Sequence, residues 1–250
     1  MQYGICHLSS IPVRSQADEA GEMLTQILYG EHFKVLENRK FWSKIRVAYD
    51  GCEGWIVNQQ FLMITEEDYL QFENTTNTQY ASDLVSFVTT AKNVMQPILL
   101  GSCIQPTAFL EHTFEGNSID SIQPKENLIR TALMYLNAPY LWGGKTPFGI
   151  DAAGFTQMVY KINGYQLLRN APKQATQGEA LSFIEESEAG DLAFFDNKEG
   201  EIDHVGIIMQ NNYIIHASGT VRIDRIDHTG IFNTDLRNYT HQLRVIKKVI

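Results

Sequence analysis

The sequence predicts an α+β fold for its C-terminal half, preceded by one or two small β-barrels. Three observations carry that expectation. Residues 1–64 alternate apolar and polar side chains in short runs separated by turn residues. A helical repeat of apolar residues follows over 125–137. Beyond residue 190 come three apolar runs of strand length, and helices followed by strands make an α+β arrangement. With 250 residues, 44% of them hydrophobic, the chain can build one large core or two to three small ones.

In the first segment, His32-Phe33-Lys34-Val35-Leu36-Glu37 and Ser43-Lys44-Ile45-Arg46-Val47 alternate as half-buried strands do. Gly30, Asn38, Asp50-Gly51 and Gly54 supply the turns. In the second segment, 65–121, Glu66-Glu67-Asp68 leads into Tyr69-Leu70 and Phe72 as a short capped helix, and the polar stretch 73–79 is a loop. The runs 84–90, 97–100 and 108–110 read as strands, so 65–121 is a linker plus a second, degenerate barrel. Over 125–137, Leu128, Ile129, Ala132, Leu133 and Leu136 fall on one helical face, with Pro124 in the first turn and Pro139 as terminator. A second helix runs from Ala152 to about Ile162, capped by Asp151 and ended by Gly164. Strands are expected at 191–195, 204–209 and 212–216, with Asn211-Asn212 as a hairpin turn. That hairpin would set His204 and His216 side by side.

Composition excludes several function classes. The net charge is −9, from 29 acidic and 20 basic residues, which argues against nucleic acid and against anionic membrane surfaces as partners. Cys6, Cys52 and Cys103 are odd in number and widely spaced, so they form neither a disulfide framework nor a CxxC zinc motif. Reduced thiols and an N-terminus without a basic n-region or apolar h-region point to the cytoplasm. No apolar run approaches the roughly 20 residues of a membrane span. The histidines lack metal-ligand spacing along the chain and no glycine-rich phosphate loop occurs, so no metal and no organic cofactor are expected.

The chemistry sits in four segments: Ala138-Pro139-Tyr140-Leu141-Trp142-Gly143-Gly144, Asp151-Ala152-Ala153-Gly154-Phe155, Asp203-His204-Val205-Gly206-Ile207-Ile208 and Tyr213-Ile214-Ile215-His216-Ala217. Together they resemble the NlpC/P60 family of papain-like cysteine peptidases, over about residues 125–250. Pro12-Val13-Arg14, Gly30-Glu31, Trp42 and Asp50-Gly51-Cys52-Glu53-Gly54-Trp55-Ile56 resemble a bacterial SH3-like (SH3b) domain. The resemblance implies a papain-like NlpC/P60 domain at 122–250 behind an SH3-like barrel at 1–64 and a degenerate second one within 65–121. Trp42 and Trp55 are each open to a place in the core or in a ligand groove.

The family's motif reads Pro-Tyr-x-Trp-Gly-Gly and then Asp-Cys-Ser-Gly-Phe. The resemblance therefore puts the nucleophilic Cys at Ala152 and the Ser that follows at Ala153. It makes His204 the general base and His216 the residue that orients it. It assigns Tyr140, Trp142, Asp151 and Ala153 to substrate binding, with Tyr140 and Asp151 receiving a substrate ammonium. The substrate implied is a muropeptide such as L-Ala-γ-D-Glu-diamino acid, cut between γ-D-glutamate and the diamino acid during cell-wall recycling. His7, His32, His112, His228 and His241 are read as structural.

A cysteine peptidase needs a thiolate, and the start of a helix beside an imidazole is where a thiol pKa falls. Position 152 has that placement but no sulfur, so no acyl-enzyme can form. Loss of a nucleophile costs about a millionfold in kcat. None of the three cysteines follows a Gly-Gly turn at a helix start, so none substitutes. Losing the Ser hydroxyl at 153 removes one hydrogen bond, worth about 1 kcal/mol. Ala152-Ala153 arose either by deliberate replacement or by natural change, and the further departure at Leu168-Arg169-Asn170-Ala171 favours the second. Two functions stay open: a hydrolase scaffold silenced at residue 152, or a pseudo-peptidase that binds muropeptides or a protein partner without turnover. Oligomeric state is not legible in the sequence.

Overall fold

A computed structural model describes residues 1–75 and 78–250. The loop expected over 73–79 therefore lies partly outside the described residues. The chain forms two compact units, Met1–Ile122 with Trp142–Pro147, and Gln123–Leu141 with Phe148–Ile250. Among the described residues, no helix is long and apolar enough to cross a membrane.

The first unit opens with β1 (Gln2–Ile5), β2 (Ser10–Arg14), β3 (Met23–Leu28), β4 (His32–Asn38), β5 (Trp42–Val47), β6 (Glu53–Val57) and β7 (Leu62–Ile64). They form one sheet in the order β3-β2-β6-β5-β4-β1-β7. The period-2 alternation is realised in β4 and β5, where Phe33, Val35, Ile45 and Val47 turn inward onto Ile11, Val13, Ile27 and Ile56. Trp55 belongs to the interior and carries the Arg39 guanidinium 4.1 Å above its ring, whereas Trp42 is half-buried. Helix α1 (Glu66–Glu73) begins with a capping box in which Thr65 and Asp68 satisfy each other's backbone N–H groups.

Beyond α1 come β8 (Tyr80–Ala81), β9 (Val85–Thr89), β10 (Met95–Leu99), β11 (Thr113–Glu115) and β12 (Ser118–Ile119), in sheets β10-β9-β11 and β12-β8. Ala81, Val88, Ile98 and Ile104 form a small core with Tyr29. The strand expected at 108–110 is not one. A short 3-10 turn at Gln105–Thr107 is continued by Leu110 N–H donating to the Pro106 carbonyl and His112 N–H to the Thr107 carbonyl. These local bonds occupy the groups a strand would offer to a neighbour, and Glu111 at φ 56° turns the chain into β11. The unit also contains β13 (Lys145–Thr146).

The second unit holds α2 (Asn127–Leu133), β14 (Gly149–Ile150), α3 (Ala152–Ile162) and α4 (Ala171–Gln174). Its sheet comprises β15 (Glu179–Leu181), β16 (Leu192–Asp196), β17 (Ile202–Met209), β18 (Tyr213–Ser218), β19 (Thr220–Ile226), β20 (Gly230–Asn233) and β21 (Asn238–Lys248), ordered β15-β21-β16-β17-β18-β19-β20. Because β21 also pairs with β20, strands β16 to β21 close into a six-stranded barrel.

Helix α2 is shorter than expected and buries a different face. Leu128, Thr131, Ala132, Tyr135 and Ala138 are inside, whereas Leu133 and Leu136 are exposed. The buried set keeps the ordinary i, i+3, i+4, i+7 spacing of an α-helix at Leu128, Thr131, Ala132 and Tyr135, with Thr131 and Tyr135 rather than Leu133 and Leu136 on the inner face. The helix ends early because its last turns tighten: Met134 N–H donates to Thr131 O and Tyr135 N–H to Ala132 O. Asn137 then takes φ 67° and donates its N–H to Val221 O, which ends the segment. Helix α3 begins and ends as its sequence indicates, with Asp151 at the N-cap and Gly164 at φ 86° beyond its end. Asn211 and Asn212 both have positive φ, 60° and 61°, the conformation a two-residue hairpin requires.

Candidate functional site

The centre of the second unit is built from β17, β18 and β19, with α3 packed against β17 and β18. In β17, His204 follows Asp203 and its side chain turns to the interior. Across the hairpin, His216 pairs with Gly206, and on β19 Asp224 lies buried two residues past the partner of His216. The glycine is required there, because a Cβ on Gly206 would stand 2.9 Å from His216 Cβ and 2.7 Å from Ile214 Cδ1. The expected adjacency of His204 and His216 is present: His204 Nε2 lies 2.9 Å from His216 Nδ1.

Asp224 gives that contact a direction. Its Oδ2 lies 3.0 Å from His216 Nε2, and Arg222 Nε and Nη2 donate to its two oxygens at 2.6 and 2.9 Å. Burial raises the Asp224 carboxyl, but the hydrogen bonds from His216 and Arg222 outweigh it and hold the pKa at about 2. An ionised carboxylate only accepts, so His216 carries its proton on Nε2. Its Nδ1 then accepts, and His204 donates from Nε2. The remaining lone pair of His204 is on Nδ1, the atom left for acid–base work. Burial pushes the His204 pKa well below the usual histidine range, with His216 and His241 nearby adding to the effect. His216 is lowered as well, chiefly by burial, against the pull of Asp224.

At the start of α3, Ala152 and Ala153 are both buried. Asp151 Oδ1 accepts from Gly154 N–H at 2.6 Å, the N-cap bond that aligns the helix. The same carboxylate is clamped by Arg169, Nη1 to Oδ1 at 3.0 Å and Nη2 to Oδ2 at 2.6 Å. Asp151 is thus a cap and half of a buried ion pair, an arrangement that the expected role of receiving a substrate ammonium did not include. Ala153 O accepts from Gln174 Nε2 at 2.9 Å and from Thr156 Oγ1 at 3.0 Å, which locks the first turn of α3 onto α4. Tyr140 is partly exposed, and burial followed by the charge of Asp151 raises its hydroxyl pKa. Trp142 belongs to the first unit, where it is largely exposed and its Nε1–H donates to Glu22 Oε1 at 2.8 Å.

Four residues were not singled out from the sequence: Asp224, Arg222, Arg169 and His241. Asp224 left one signal, an acidic residue among the apolar positions of Val221-Arg222-Ile223-Asp224-Arg225-Ile226. Arg169 belongs to the Leu168-Arg169-Asn170-Ala171 segment, which departs from the family pattern. His241, read as structural, stacks on His204 with ring centroids 4.0 Å apart. The reduced thiols lie elsewhere. Cys6 is in the core of the first barrel, where burial pushes its pKa far up, and Cys52 packs against that core. Cys103 lies between β10 and β11 in the same unit.

Residues 137–239 match the NlpC/P60 family, and residues 13–61 match the bacterial dipeptidyl-peptidase Sh3 domain. The γ-D-glutamyl-L-lysine dipeptidyl-peptidase of Bacillus subtilis strain 168 is 39% identical over 218 residues, which cover 78% of this chain and 72% of that protein. The chain belongs to the NlpC/P60 family. A second relative, dipeptidyl-peptidase 6 of Lysinibacillus sphaericus, is 28% identical across 82% of this chain and 83% of its own length. The fold is shared with a crystal structure of an NlpC/P60 family protein from Bacillus cereus at TM-score 0.77, with 18% identity and 99% coverage of both chains.

Proposed function

We propose that this protein is a muropeptide-recognising NlpC/P60 scaffold of the γ-D-glutamyl–diamino acid endopeptidase type, silent in hydrolysis because residue 152 is alanine. One observation carries the reading. The relay Asp224–His216–His204 is complete and buried, and two of its strands, β17 and β18, pack against the helix whose first residue is the family's nucleophile position. With a cysteine at 152, the α3 N-terminus and the His204 imidazole would favour the thiolate. His204 Nδ1 would take the thiol proton and later return it to the leaving amine. The backbone N–H groups at the start of α3 would stabilise the tetrahedral oxyanion. Without the thiol, the positioned base has nothing to activate.

Two relatives are named γ-D-glutamyl-L-lysine dipeptidyl-peptidases, which supports a peptide with a γ-D-glutamyl bond to a diamino acid as the substrate class here. A second reading, a muropeptide binder without turnover, is favoured by the retention of the whole relay and of the capped helix around an absent nucleophile. The test is turnover of L-Ala-γ-D-Glu-L-Lys and its meso-diaminopimelate counterpart by an Ala152→Cys, Ala153→Ser variant beside the chain itself. Cleavage by the variant alone supports the silenced hydrolase. Saturable binding by the chain with no turnover by either supports the binder. Neither binding nor turnover overturns both.

A further inference from the structure

His204, His216 and His241 lie twelve and twenty-five residues apart in sequence, a spacing that conceals their convergence. They come from β17, β18 and β21, three strands of one closed sheet. Strand β16 separates β17 from β21, and Phe195 on it packs its ring against both His204 and His241. One ring nitrogen from each histidine lies within 4.8 Å of the other two. The His216 ring stands edge-on to both others, at 90° to His204 and 82° to His241.

We propose that these three histidines form a divalent transition-metal site, with zinc as the ion their chemistry suits best. Three imidazoles and one open position are a donor set that zinc takes in tetrahedral geometry. Zinc–nitrogen bonds of about 2.0–2.1 Å place ligand nitrogens about 3.4 Å apart, so the His204 and His241 rings, now stacked 4.0 Å apart at 25°, would have to turn toward a common point to share one ion. The supporting contacts that metal-binding histidines need are already in place. Asp224 accepts from His216 Nε2, which aims Nδ1 at the centre and makes a carboxylate–histidine–metal series. Thr240 Oγ1 lies 2.9 Å from His241 Nδ1, which leaves Nε2 to face an ion. His204 would offer Nε2, the atom now bonded to His216 Nδ1. Its proton moves to Nδ1 by tautomerisation, so the ion displaces a hydrogen bond and no net proton is lost from that ring. Metal and relay are then alternative occupants of one space, and His241, unused by the relay, becomes a ligand.

This inference goes beyond the hydrolase reading and is tested without any peptide. The full chain is stripped with chelator and desalted, then titrated with zinc by calorimetry and with cobalt(II) by visible absorption. The expected result is one equivalent of zinc bound at a Kd of about 1 μM or tighter. Cobalt should give d–d bands of a four-coordinate site without a thiolate charge-transfer band. H241A and H241F, the second of which keeps an aromatic ring on His204, should each weaken zinc at least 100-fold. D224N should weaken it roughly 10-fold through the lost support of His216. Circular dichroism of both His241 variants confirms that the fold persists. Absence of stoichiometric zinc binding overturns the proposal. So does a thiolate band, which would place the metal on cysteine, or binding left unchanged in folded H241F.

Discussion

Asp224 Oδ2 accepts from His216 Nε2 at 3.0 Å, and that contact orients every proton between β19 and β17. A relay whose last member can only accept has one tautomer at each ring. Replacing Asp224 with Asn removes the constraint, since an amide can donate as well as accept. In the Ala152→Cys, Ala153→Ser background, kcat should fall on the order of 100-fold or more with KM little changed, the pattern of an interaction used in the transition state. In the chain itself, nitrogen NMR of His216 should change from one tautomer to a mixture. Unchanged kcat in that background would dispense with Asp224 as the orienting group.

Arg169 and Asp151 form a buried ion pair, and Asp151 also caps α3. Arg169→Met leaves a buried carboxylate without its cation and should destabilise the protein by about 3–5 kcal/mol in denaturant unfolding. Arg169→Met with Asp151→Asn should cost clearly less than Arg169→Met alone, because Asn still caps the helix and no charge is stranded. Equal losses in the two proteins would show that the charge of Asp151 is not the source of the cost.

His204, His216 and His241 all have folded-state pKa values below the ordinary histidine value, His241 at about 4. The unfolded chain therefore binds more protons than the native state as pH falls below about 6.5, and stability declines with pH there. The contribution is fully present above pH of about 6.5 and is lost progressively toward pH of about 4 as the unfolded histidines charge. Asp224, held at about 2, adds a second loss at lower pH, as an unfolded aspartate protonates near 3.9. Melting of chelator-treated protein should fall steadily from pH 7 to pH 4, and His241→Phe should flatten the slope. A slope unaltered in His241→Phe would mean that His241 is charged in the folded state.

Gly206 stands opposite His216 with no room for a methyl group. Gly206→Ala should cost about 1–3 kcal/mol, as overpacking in a closed interior does. It should also shift the His216 ring resonances, because the new Cβ meets His216 Cβ directly. Wild-type stability in that variant would show that the β17–β18 hairpin can spread.

Cys6 lies in the barrel core with its thiol pKa raised by burial, whereas Cys52 and Cys103 are partly exposed. In native buffer a thiol-specific chromophore should label Cys52 and Cys103 and leave Cys6 protected until the chain unfolds. Prompt labelling of all three would contradict the packing of the first barrel.

Much of this molecule was legible in one dimension, because its signals are local. Period-2 alternation marked β4 and β5, the Asp151 cap and Gly164 marked both ends of α3, and Asn211-Asn212 marked the hairpin that joins His204 to His216. Each depends on backbone preferences or side-chain periodicity within a few residues. Sequence reading failed where a local pattern had two solutions. Over 127–138, two faces of one helix carry apolar residues, and packing buried the face with Leu128, Ala132 and Tyr135 and left Leu133 and Leu136 at the surface. At 108–110, an apolar run became a turn because Pro106 and Thr107 captured its hydrogen bonds.

The sequence by itself determined the family motifs, the missing sulfur at residue 152 and the two histidines that remain. Tertiary structure alone decided the partners: Arg169 for Asp151, Asp224 behind His216, and His241 over His204. Those pairings join residues on different elements, and their strength comes from shared burial, where few polar groups are available and each must be satisfied. No periodicity encodes which strands become neighbours when β21 closes onto β20, and that closure completes the sheet on which the three imidazoles converge.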